Sequence, residues 1–248
     1  MIWRTRQSGY NWAQSWTIFV SLTVALIVGS KLLYLIESWP QWLASPDELS
    51  AAVLSPRMRI PGGLVLAIAL GPWIADRIGV RFFAYADTVV PAAGLLLVGI
   101  RIGCFLEGCC YGIPSQVPWS VRFPASTEVY RWQVANGLIA STAARTCPVH
   151  PLQLYFALVG LWLFTFLSWR SRRKRYECEV FLFFLVSYFW STWLLESLRA
   201  LPHELSRQLV LAGAVLSTAA ALGLSVRAAT EAGNRIIESA SPAPGRRQ

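Results

Sequence analysis

The sequence predicts an all-α, polytopic membrane protein with six transmembrane helices and a large extracytoplasmic loop between the third and the fourth. Hydrophobic residues make up 55% of the 248 residues and charged residues only 14%, which gives a mean hydropathy of +0.46. Several windows of roughly 18 to 21 residues carry almost no charge, the length that a helix needs to cross the hydrocarbon core. This composition excludes soluble nucleic-acid-binding proteins, cytosolic enzymes and secreted disulfide scaffolds.

Six apolar windows follow one another along the chain. They are Trp16–Ile36, Gly62–Ile78, Phe82–Ile100, Pro151–Trp169, Val180–Leu195 and Gln208–Val226. The first window is too long for the apolar core of a signal peptide, and residues 37–40 follow it in place of a small-residue cleavage site. Most of the twelve tryptophans lie near window ends, where an amphipathic ring prefers the headgroup layer.

The distribution of basic residues predicts the sidedness of the spans. Residues 1–15, 75–81, 170–179 and 227–248 hold thirteen Lys and Arg, and the segments on the other side of the membrane hold eight. Because basic loops are retained in the cytosol, we expect both termini on the cytosolic side. The net charge of +9 then reflects cytosolic loops and contact with anionic lipid, and we expect no nucleic-acid partner.

The chain outside the spans divides into few parts. We expect a cytosolic amino-terminal segment (1–15), a membrane domain (16–226) and a disordered cytosolic tail (227–248), whose end is rich in Pro and Gly. The outer loop 103–149 has no clear helical or strand period, and the sequence leaves open whether this loop forms an ordered cap. Ser45 to Glu48 form a capped helix start, which predicts a short helix on the outer surface.

Ionisable residues gather at the predicted outer ends of the spans, although each costs roughly 2.5–3.5 kcal/mol at the centre of a bilayer. These ends hold Lys31, Tyr34 and Glu37, then Pro61, Gly62 and Gly63, then Arg101, His150, Glu196 and Arg199. The fifth span also carries Tyr188 and Thr192, which continue the row of Glu196 and Arg199 at steps of four, four and three residues. Such a stripe on an apolar helix must face protein or water.

The segment Arg101–Gly112, with the sequence RIGCFLEGCCYG, predicts a phosphate contact. A guanidinium at a helix end, followed by glycines that permit close backbone approach, suits a bidentate grip on a phosphate at headgroup depth. Asp87 lies fourteen residues earlier, about 21 Å away along a helix, so it cannot pair with Arg101. In the later run HPLQLY, a proline starts a helix and Gln153 lies one turn beyond His150.

Several motifs in the same order resemble the prolipoprotein diacylglyceryl transferases of the bacterial inner membrane. The Arg101 segment resembles that family's Gly-Arg-x-Gly-Asn-Phe signature, and His150 to Tyr155 resemble its His-Pro-Ser-Gln-Leu-Tyr. Further positions similar to the family pattern are Gly29 to Tyr34, Pro61 to Leu64, Asp87 with Pro91, Tyr111 with Gly112, Tyr188, Glu196 and Arg199, and Ser206 with Gln208. The likeness covers about residues 28–222, most of the chain.

The resemblance implies transfer of a diacylglyceryl group from phosphatidylglycerol to the cysteine thiol of a lipoprotein precursor, at the outer face of the inner membrane. The product is a thioether, and glycerol phosphate leaves. Arg101 is implied as the phosphate contact, with His150 and Glu196 as the other catalytic residues. The implied substrate-binding residues are Gly62, Gly63, Gly103, Glu107, Tyr111, Gly112, Gln153, Tyr155, Tyr188 and Arg199. No cofactor is implied.

The chain departs from the family pattern at several positions. The family's histidine before Gly-Gly-Leu is Pro61, a late-helix arginine is Thr192, and a glutamate after Leu-Tyr is Phe156. The asparagine and glutamate of the signature are Cys104 and Cys109. Two alternatives therefore stay open: a catalytically inactive relative that binds phospholipid or lipoprotein precursor, and a transferase with a different acceptor.

Individual side chains also have alternative roles. His150 is either a replacement base or a helix-start residue packed in the loop, and Glu107 is a second candidate base. Glu196 and Arg199, one turn apart, also fit a structural ion pair.

The cysteine cluster at 104, 109 and 110 is a weak candidate for a metal site with His150, because no two-residue-spaced pair repeats. We therefore predict no metal and expect small, buried, inert thiols. A disulfide between Cys147 and a member of the cluster is the third possibility.

Overall fold

The computed structural model describes residues 11–40, 46–55, 57–200 and 204–240. Within these ranges the chain is helical apart from turns and isolated β-bridges, which confirms the all-α prediction. The described helices are α1 (Trp12–Glu37), α2 (Pro46–Leu54), α3 (Ile60–Ile78), α4 (Phe82–Glu107), α5 (Glu128–Ala135), α6 (Leu152–Ser171), α7 (Glu179–Glu196) and α8 (Glu204–Ala240).

Five helices in the described ranges are long and apolar enough to cross a membrane: α1, α4, α6, α7 and Arg207–Glu231 within α8. Many of their outward side chains are apolar and exposed, as a lipid-facing surface requires. The shorter α3 is not among the five, because Pro72, Asp76 and Arg77 interrupt the apolar run of its 19 residues. Multi-pass architecture is thus confirmed, and the sixth span stays a prediction. The large loop follows the second of these five helices, and it follows a third span only if α3 crosses the membrane.

Helices α1 and α3 pack antiparallel along their length. At one end the side-chain amide of Gln14 donates to the carbonyl of Ile78 over 3.2 Å. At the other end Gly29 of α1 meets Gly62 of α3. A capping box between Asn11 and Gln14 starts α1, so this helix begins one turn earlier than predicted.

The centre of the molecule is formed by α4, α6 and α7. A Cβ atom on Gly94 of α4 would lie 2.6 Å from both the carbonyl oxygen of Gly160 and the backbone nitrogen of Phe164 on α6. Close approach through small residues is a common contact between membrane helices. Phe82 of α4 packs edge-on against Phe181 of α7, with ring centroids 6.0 Å apart. These contacts align the end of α4 with the start of α6.

Asp87 organises the turn between α6 and α7. Its buried carboxylate accepts hydrogen bonds from the backbone N–H groups of Cys178 (3.0 Å) and Phe181 (2.9 Å). Lys174 adds an ion pair at 3.4 Å. The carboxylate thus caps the amino-terminal end of α7. Asp87 lies far from Arg101 on α4 and does not pair with it, as the sequence spacing predicted.

Residues 108–151 form an ordered cap, which answers the question that the sequence left open for the loop 103–149. The helix α4 continues to Glu107, and the short helix α5 lies within the cap. Val121 and Val149 exchange two backbone hydrogen bonds of 3.0 Å. These bridges are single residue pairs, too short to produce a periodic pattern. A separate buried apolar cluster supports the cap; its members are Tyr111, Phe123, Val129 and Val149.

The last helix is also longer than predicted. We expected a span that ends at Val226 and a disordered tail from residue 227, but α8 continues to Ala240. Residues 227–240 contain four alanines and no proline, and alanine is the strongest helix former. Residues 241–248, residues 1–10 and the predicted cap Ser45 lie outside the described residues. The short helix predicted after Ser45 is confirmed as α2.

The glycine contact between α4 and α6 yields a stability prediction. We expect Gly94→Ala to destabilise the protein by about 1–3 kcal/mol, because the added methyl group overpacks the helix contact. Gly99→Ala is the matched control on the same helix, where a Cβ meets nothing within 4 Å. Thermal unfolding in detergent measures both. Equal unfolding temperatures for the two variants would contradict the close contact.

Candidate active site

Arg101 lies near the end of α4 and is buried, with 6% of its surface exposed. Its guanidinium carbon stands 4.1 Å from the centroid of the Phe156 ring on α6, a cation–π contact. No carboxylate in the described ranges forms an ion pair with Arg101, and its buried Nε has no hydrogen-bond partner there. A buried guanidinium without an ion-paired carboxylate is costly, so this geometry suits an anionic ligand in addition to the Cys110 thiol, on which the charge of Arg101 acts.

A tight turn ends α4 at Gly108, seven residues after the arginine. Gly108 has a left-handed backbone with φ 66°, and the N–H of Cys109 donates to the carbonyl of Cys104 over 3.1 Å. This is the pattern of a Schellman motif. Cys110 is also left-handed, with φ 57°, which costs a residue with a Cβ about 1–2 kcal/mol. Strain of this kind is frequent at functional sites.

The turn brings three thiols together. The Sγ atoms of Cys104, Cys109 and Cys110 all lie within 4.8 Å of one another. All three side chains are half-buried and free, as is Cys147, so the structure contains neither the buried cluster nor the disulfide that the sequence suggested. The clustering of these three cysteines that the sequence analysis considered is confirmed, and it depends on the left-handed turn at Gly108.

The charge state of the cluster is set by its neighbours. The thiols of Cys104 and Cys109 act as donors to the Cys110 thiolate, and the guanidiniums of Arg199 and Arg101 add favourable charge. The pKa of Cys110 therefore lies far below its ordinary value of 9.0. The pKa of Cys109 is raised, because its protonated thiol forms hydrogen bonds with Cys104 and with Cys110 and because burial disfavours its charged form.

Glu196 and Arg199 tie the end of α7 to the cap. Glu196 is the last residue of α7, and its Oε1 accepts a hydrogen bond of 2.8 Å from Nη1 of Arg199. Arg199 lies beyond the helix, where its backbone forms an isolated antiparallel bridge with Gly112. The predicted ion pair is present, and its guanidinium lies beside the thiol cluster.

The predicted polar stripe of α7 faces protein. Tyr188, Thr192 and Glu196 are all buried on this helix, and the charge of Arg101 acts on Tyr188. Arg199, the fourth member, is half-buried and lies off the helix. The stripe therefore turns toward α4, where the guanidinium lies.

Gln153 and Tyr111 also carry a buried polar atom without a partner in the part of the chain that the structure describes. Gln153 is fully buried, and its Nε2 donates to the carbonyl of Cys109 over 2.6 Å, while its Oε1 is unpaired. The hydroxyl of Tyr111, which packs against Trp132, is also unpaired. Burial raises the pKa of Tyr111, so its hydroxyl keeps its proton and is available as a donor. Unpaired buried polar atoms are rare in folded proteins and indicate a ligand or water.

His150 belongs to a hydrogen-bonded chain of side chains. Its Nδ1 lies 3.0 Å from the hydroxyl of Tyr155, which accepts a hydrogen bond of 2.7 Å from Nε1 of Trp119. A tyrosine hydroxyl that accepts from Trp119 donates its own proton to Nδ1, and the histidine proton then lies on Nε2. In this tautomer His150 is a donor at Nε2. No contact joins His150 to Arg101 in the described chain.

Several predicted site residues lie apart from Arg101. Gly62 and Gly63 contact α1, and Gly103 and Glu107 are exposed on α4. The polar residues at the end of α1 form a second cluster, whose contacts join Lys31 to Ser55 and Arg59 to Glu37.

Sequence reasoning missed the roles of two residues at the site. Phe156 counted only as a departure from the family pattern, yet its ring contacts the key guanidinium. Trp119 was not singled out, although it completes the chain to His150. For Phe156 the sequence offered one indication: it lies four residues after Leu152, on the same face of the helix. No local pattern identified the second.

These features define a multi-pass helical membrane protein with a buried guanidinium between α4, α6 and α7. The chain belongs to the prolipoprotein diacylglyceryl transferase family, whose family model matches residues 1–229. The family assignment made from the sequence motifs is confirmed.

Three relatives, each a phosphatidylglycerol-prolipoprotein diacylglyceryl transferase, illustrate the similarity. The protein of Bordetella avium (strain 197N) is 32% identical over 173 residues, which is 69% of this chain and 58% of that protein. The Clostridium tetani (strain Massachusetts / E88) protein is 28% identical over 209 residues, 81% of this chain and 74% of its own length. The Pseudomonas fluorescens (strain SBW25) protein is 33% identical over 156 residues, which is 62% of this chain and 52% of that protein. The chain thus spans less than two thirds of the first relative.

The lowered pKa of Cys110 predicts how alkylation depends on pH. A depressed pKa keeps the thiolate present as the pH falls, until the pH passes below the folded value. We therefore expect iodoacetamide to label Cys110 at pH 6, where an ordinary thiol with a pKa of about 8.5 reacts slowly. Peptide mass spectrometry measures the labelling rate, and the same chain in denaturant is the control. The lowered pKa would be contradicted if the labelling rate of Cys110 fell to the same extent in the folded and in the denatured chain when the pH is lowered.

Proposed function

We propose that this protein transfers the diacylglyceryl group of phosphatidylglycerol to the cysteine thiol of a lipoprotein precursor. The observation that carries the proposal is the buried guanidinium of Arg101, whose Nε has no hydrogen-bond partner in the described chain, on the helix end that carries the family signature. The function that the relatives' names give, and the likeness over most of this chain, support the same activity.

The reaction is a displacement at carbon. The thiolate of the acceptor attacks the glyceryl carbon that carries the phosphate, a C–S bond forms, and the C–O bond to phosphate breaks. The electron pair leaves with the phosphate oxygen, so negative charge on the leaving group grows in the transition state. A donor fixed in a dry site stabilises such charge effectively. Arg101 supplies this group, and its contact with Phe156 fixes its position without neutralising it.

The remaining residues fit supporting roles in this reaction. Arg199, oriented by Glu196, is the second cation beside the departing phosphate. Gln153 and Tyr111 offer an acceptor and a donor to the lipid headgroup through their unpaired atoms. His150 and Glu107 stay the candidate bases, with Tyr155 as the positioning partner of His150. The exposed position of Glu107 allows contact with solvent.

We also propose the topology that this reaction requires. Helix α3 is the sixth span, because it packs along α1 and its 19 residues extend about 28 Å at 1.5 Å per residue. Six spans place both termini in the cytosol, as the basic residues predict. The cap 108–151 then lies on the outer face of the inner membrane, between the third and fourth spans, with the site beneath it. The domain division at 16 and 226 is retained as part of this proposal.

A second candidate function is supported by the departures from the family pattern. The chain has Pro61 and Thr192 where the family has a histidine and an arginine. A relative without catalysis that binds phosphatidylglycerol or a lipoprotein precursor requires Arg101 but not those two side chains. A transferase with another acceptor is the remaining alternative, and it shares the same phosphate site.

The Arg101→Ala variant tests the proposal. Loss of one preorganised donor to a developing anion lowers the rate about 10²–10³-fold, so we expect a loss of that size. The measurement is thioether formation by the purified full chain, with phosphatidylglycerol vesicles and a cysteine peptide, followed by mass spectrometry. Arg131→Ala, an exposed arginine on α5, is the control and should retain activity.

Complementation of bacteria depleted of their own transferase provides the second readout. Rescue by the unaltered chain and by Arg131→Ala, without rescue by Arg101→Ala, supports the mechanism. Rescue that survives Arg101→Ala contradicts it. An unaltered chain that binds phosphatidylglycerol vesicles without forming a thioether favours the non-catalytic alternative.

A further inference from the structure

We propose that Cys104, Cys109 and Cys110 bind one thiophilic metal ion, with Zn²⁺ as the best fit, and that the open position of this ion takes the acceptor thiol. The second half of the inference rests on the proposed transferase function. The first half depends only on the geometry of the three thiols.

The distances between the sulphur atoms suit a shared metal ion. All three Sγ atoms lie within 4.8 Å of one another. Zn–S bonds of about 2.3 Å in a tetrahedron place the sulphurs about 3.8 Å apart, which lies within the observed limit of 4.8 Å. The left-handed φ of Cys110, 57°, belongs to the turn that brings the three thiols together.

A metal explains three thiols better than a disulfide does. An S–S bond of about 2.05 Å joins two sulphurs and leaves the third unused. Cys109 and Cys110 are adjacent in sequence, and all three thiols are free. Thiolates select soft ions such as Zn²⁺ and Cu⁺ over Mg²⁺ or Ca²⁺. The half-buried position of the side chains also provides an entry path.

The surrounding charges are compatible with such a site. Three thiolates and one divalent ion have a net charge of −1, and the guanidiniums of Arg101 and Arg199 lie nearby. Sites with three protein ligands leave the fourth position for water or substrate and are typical of catalytic zinc. The three cysteines therefore predict an open site.

A metal with an open position would activate the acceptor thiol, a task for which this chain lacks several of the family's residues. Pro61 stands where the family has a histidine, and Cys104 and Cys109 stand where the signature has asparagine and glutamate. A thiol that coordinates the metal loses its proton to solvent. The resulting thiolate attacks the glyceryl carbon, glycerol phosphate leaves with the electron pair of the broken C–O bond, and the thioether dissociates from the metal.

The two substrates would then meet over a short distance. Cys104 lies three residues after Arg101 on α4, so the two side chains project from the same helix face. The metal holds the acceptor sulphur on one side, and the guanidinium holds the phosphate of the lipid on the other. Both are fixed on a single helix end, which reduces the entropy lost when the reactants are aligned.

The metal site is tested with the reduced, metal-free full chain in detergent. Cd²⁺ serves as the spectroscopic probe, because its thiolate complexes absorb in the ultraviolet, and Zn²⁺ competes for the same site. We expect one equivalent to bind. Binding should weaken at least about 100-fold in each of the variants Cys104→Ser, Cys109→Ser and Cys110→Ser. Loss of a residue that only hydrogen-bonds to a metal ligand weakens binding by at most about that factor. Cys147→Ser is the control that should bind like the unaltered chain.

A protection experiment avoids any folding defect of the variants. Zn²⁺ added to the unaltered chain should slow iodoacetamide labelling of the three clustered cysteines at least tenfold, and labelling of Cys147 should not change. Equal labelling with and without Zn²⁺, together with no stoichiometric Cd²⁺ absorption, overturns the metal site. Spontaneous formation of a Cys104–Cys109 disulfide in place of metal binding overturns it as well.

Thioether formation separates the metal's role from the proposed function. Activity that disappears with chelator, returns with Zn²⁺ and is absent in Cys109→Ser supports the role. If the metal-free chain and Cys109→Ser are as active as the Zn²⁺-loaded unaltered chain, while Arg101→Ala is inactive, the catalytic role of the metal is overturned. The transferase function is then left intact. Zn²⁺ protection without any thioether formation overturns the transferase function and the role, while the metal site itself stands.

Discussion

One positive charge, buried among apolar helices without a carboxylate beside it, sets the requirements for the rest of the site. Arg101 is held against the ring of Phe156, and the close contact between Gly94 and Gly160 keeps the two helices near enough for that stacking. A cation–π contact returns only about 0.5–2 kcal/mol, less than the desolvation cost of the guanidinium. The Cys110 thiol supplies part of the compensating charge, and the headgroup of an anionic phospholipid, at the depth of a helix end, is the anion that we propose for the rest.

The departures from the family pattern cluster around the same charge. Phe156 replaces a glutamate beside the guanidinium, and Cys104 and Cys109 replace an asparagine and a glutamate in the signature. Each change removes an oxygen or nitrogen ligand from the neighbourhood of Arg101, and two of them add sulphur. The replacements therefore form one coherent change of chemistry, in which thiols take over positions that the family gives to oxygen and nitrogen groups. Pro61, in the first turn of α3, fits a protein in which another group activates the thiol in place of the family's histidine.

Much of the architecture was predictable, because a membrane span requires a long apolar segment with few charged residues, which the sequence shows directly. The boundary between α3 and α4 was placed correctly, since Gly79 in a left-handed conformation ends one helix directly before the next. The Arg101 motif and the polar stripe of α7 were found because an ionisable residue on an apolar helix is conspicuous. The sixth span was not confirmed, since charges and a proline dilute the apolar run of α3.

Other features depend on tertiary contacts that no local pattern records. The order of the cap arises from single β-bridges and from a small apolar cluster around Val149. The approach of Cys109 to Cys104 requires the left-handed turn at Gly108. The structural role of Asp87 depends on backbone donors about ninety residues away, in the turn before α7. In each case the interacting groups are distant in sequence, or their proximity follows from a backbone angle.

The most direct test of the account is the position of a bound phospholipid headgroup. Electron cryomicroscopy of the full chain in phosphatidylglycerol nanodiscs would locate it. The account predicts phosphate oxygens about 2.7–2.9 Å from the guanidinium nitrogens of Arg101, the distance of a charge-assisted hydrogen bond. An ordered headgroup elsewhere on the protein, with no anion against Arg101, would contradict it.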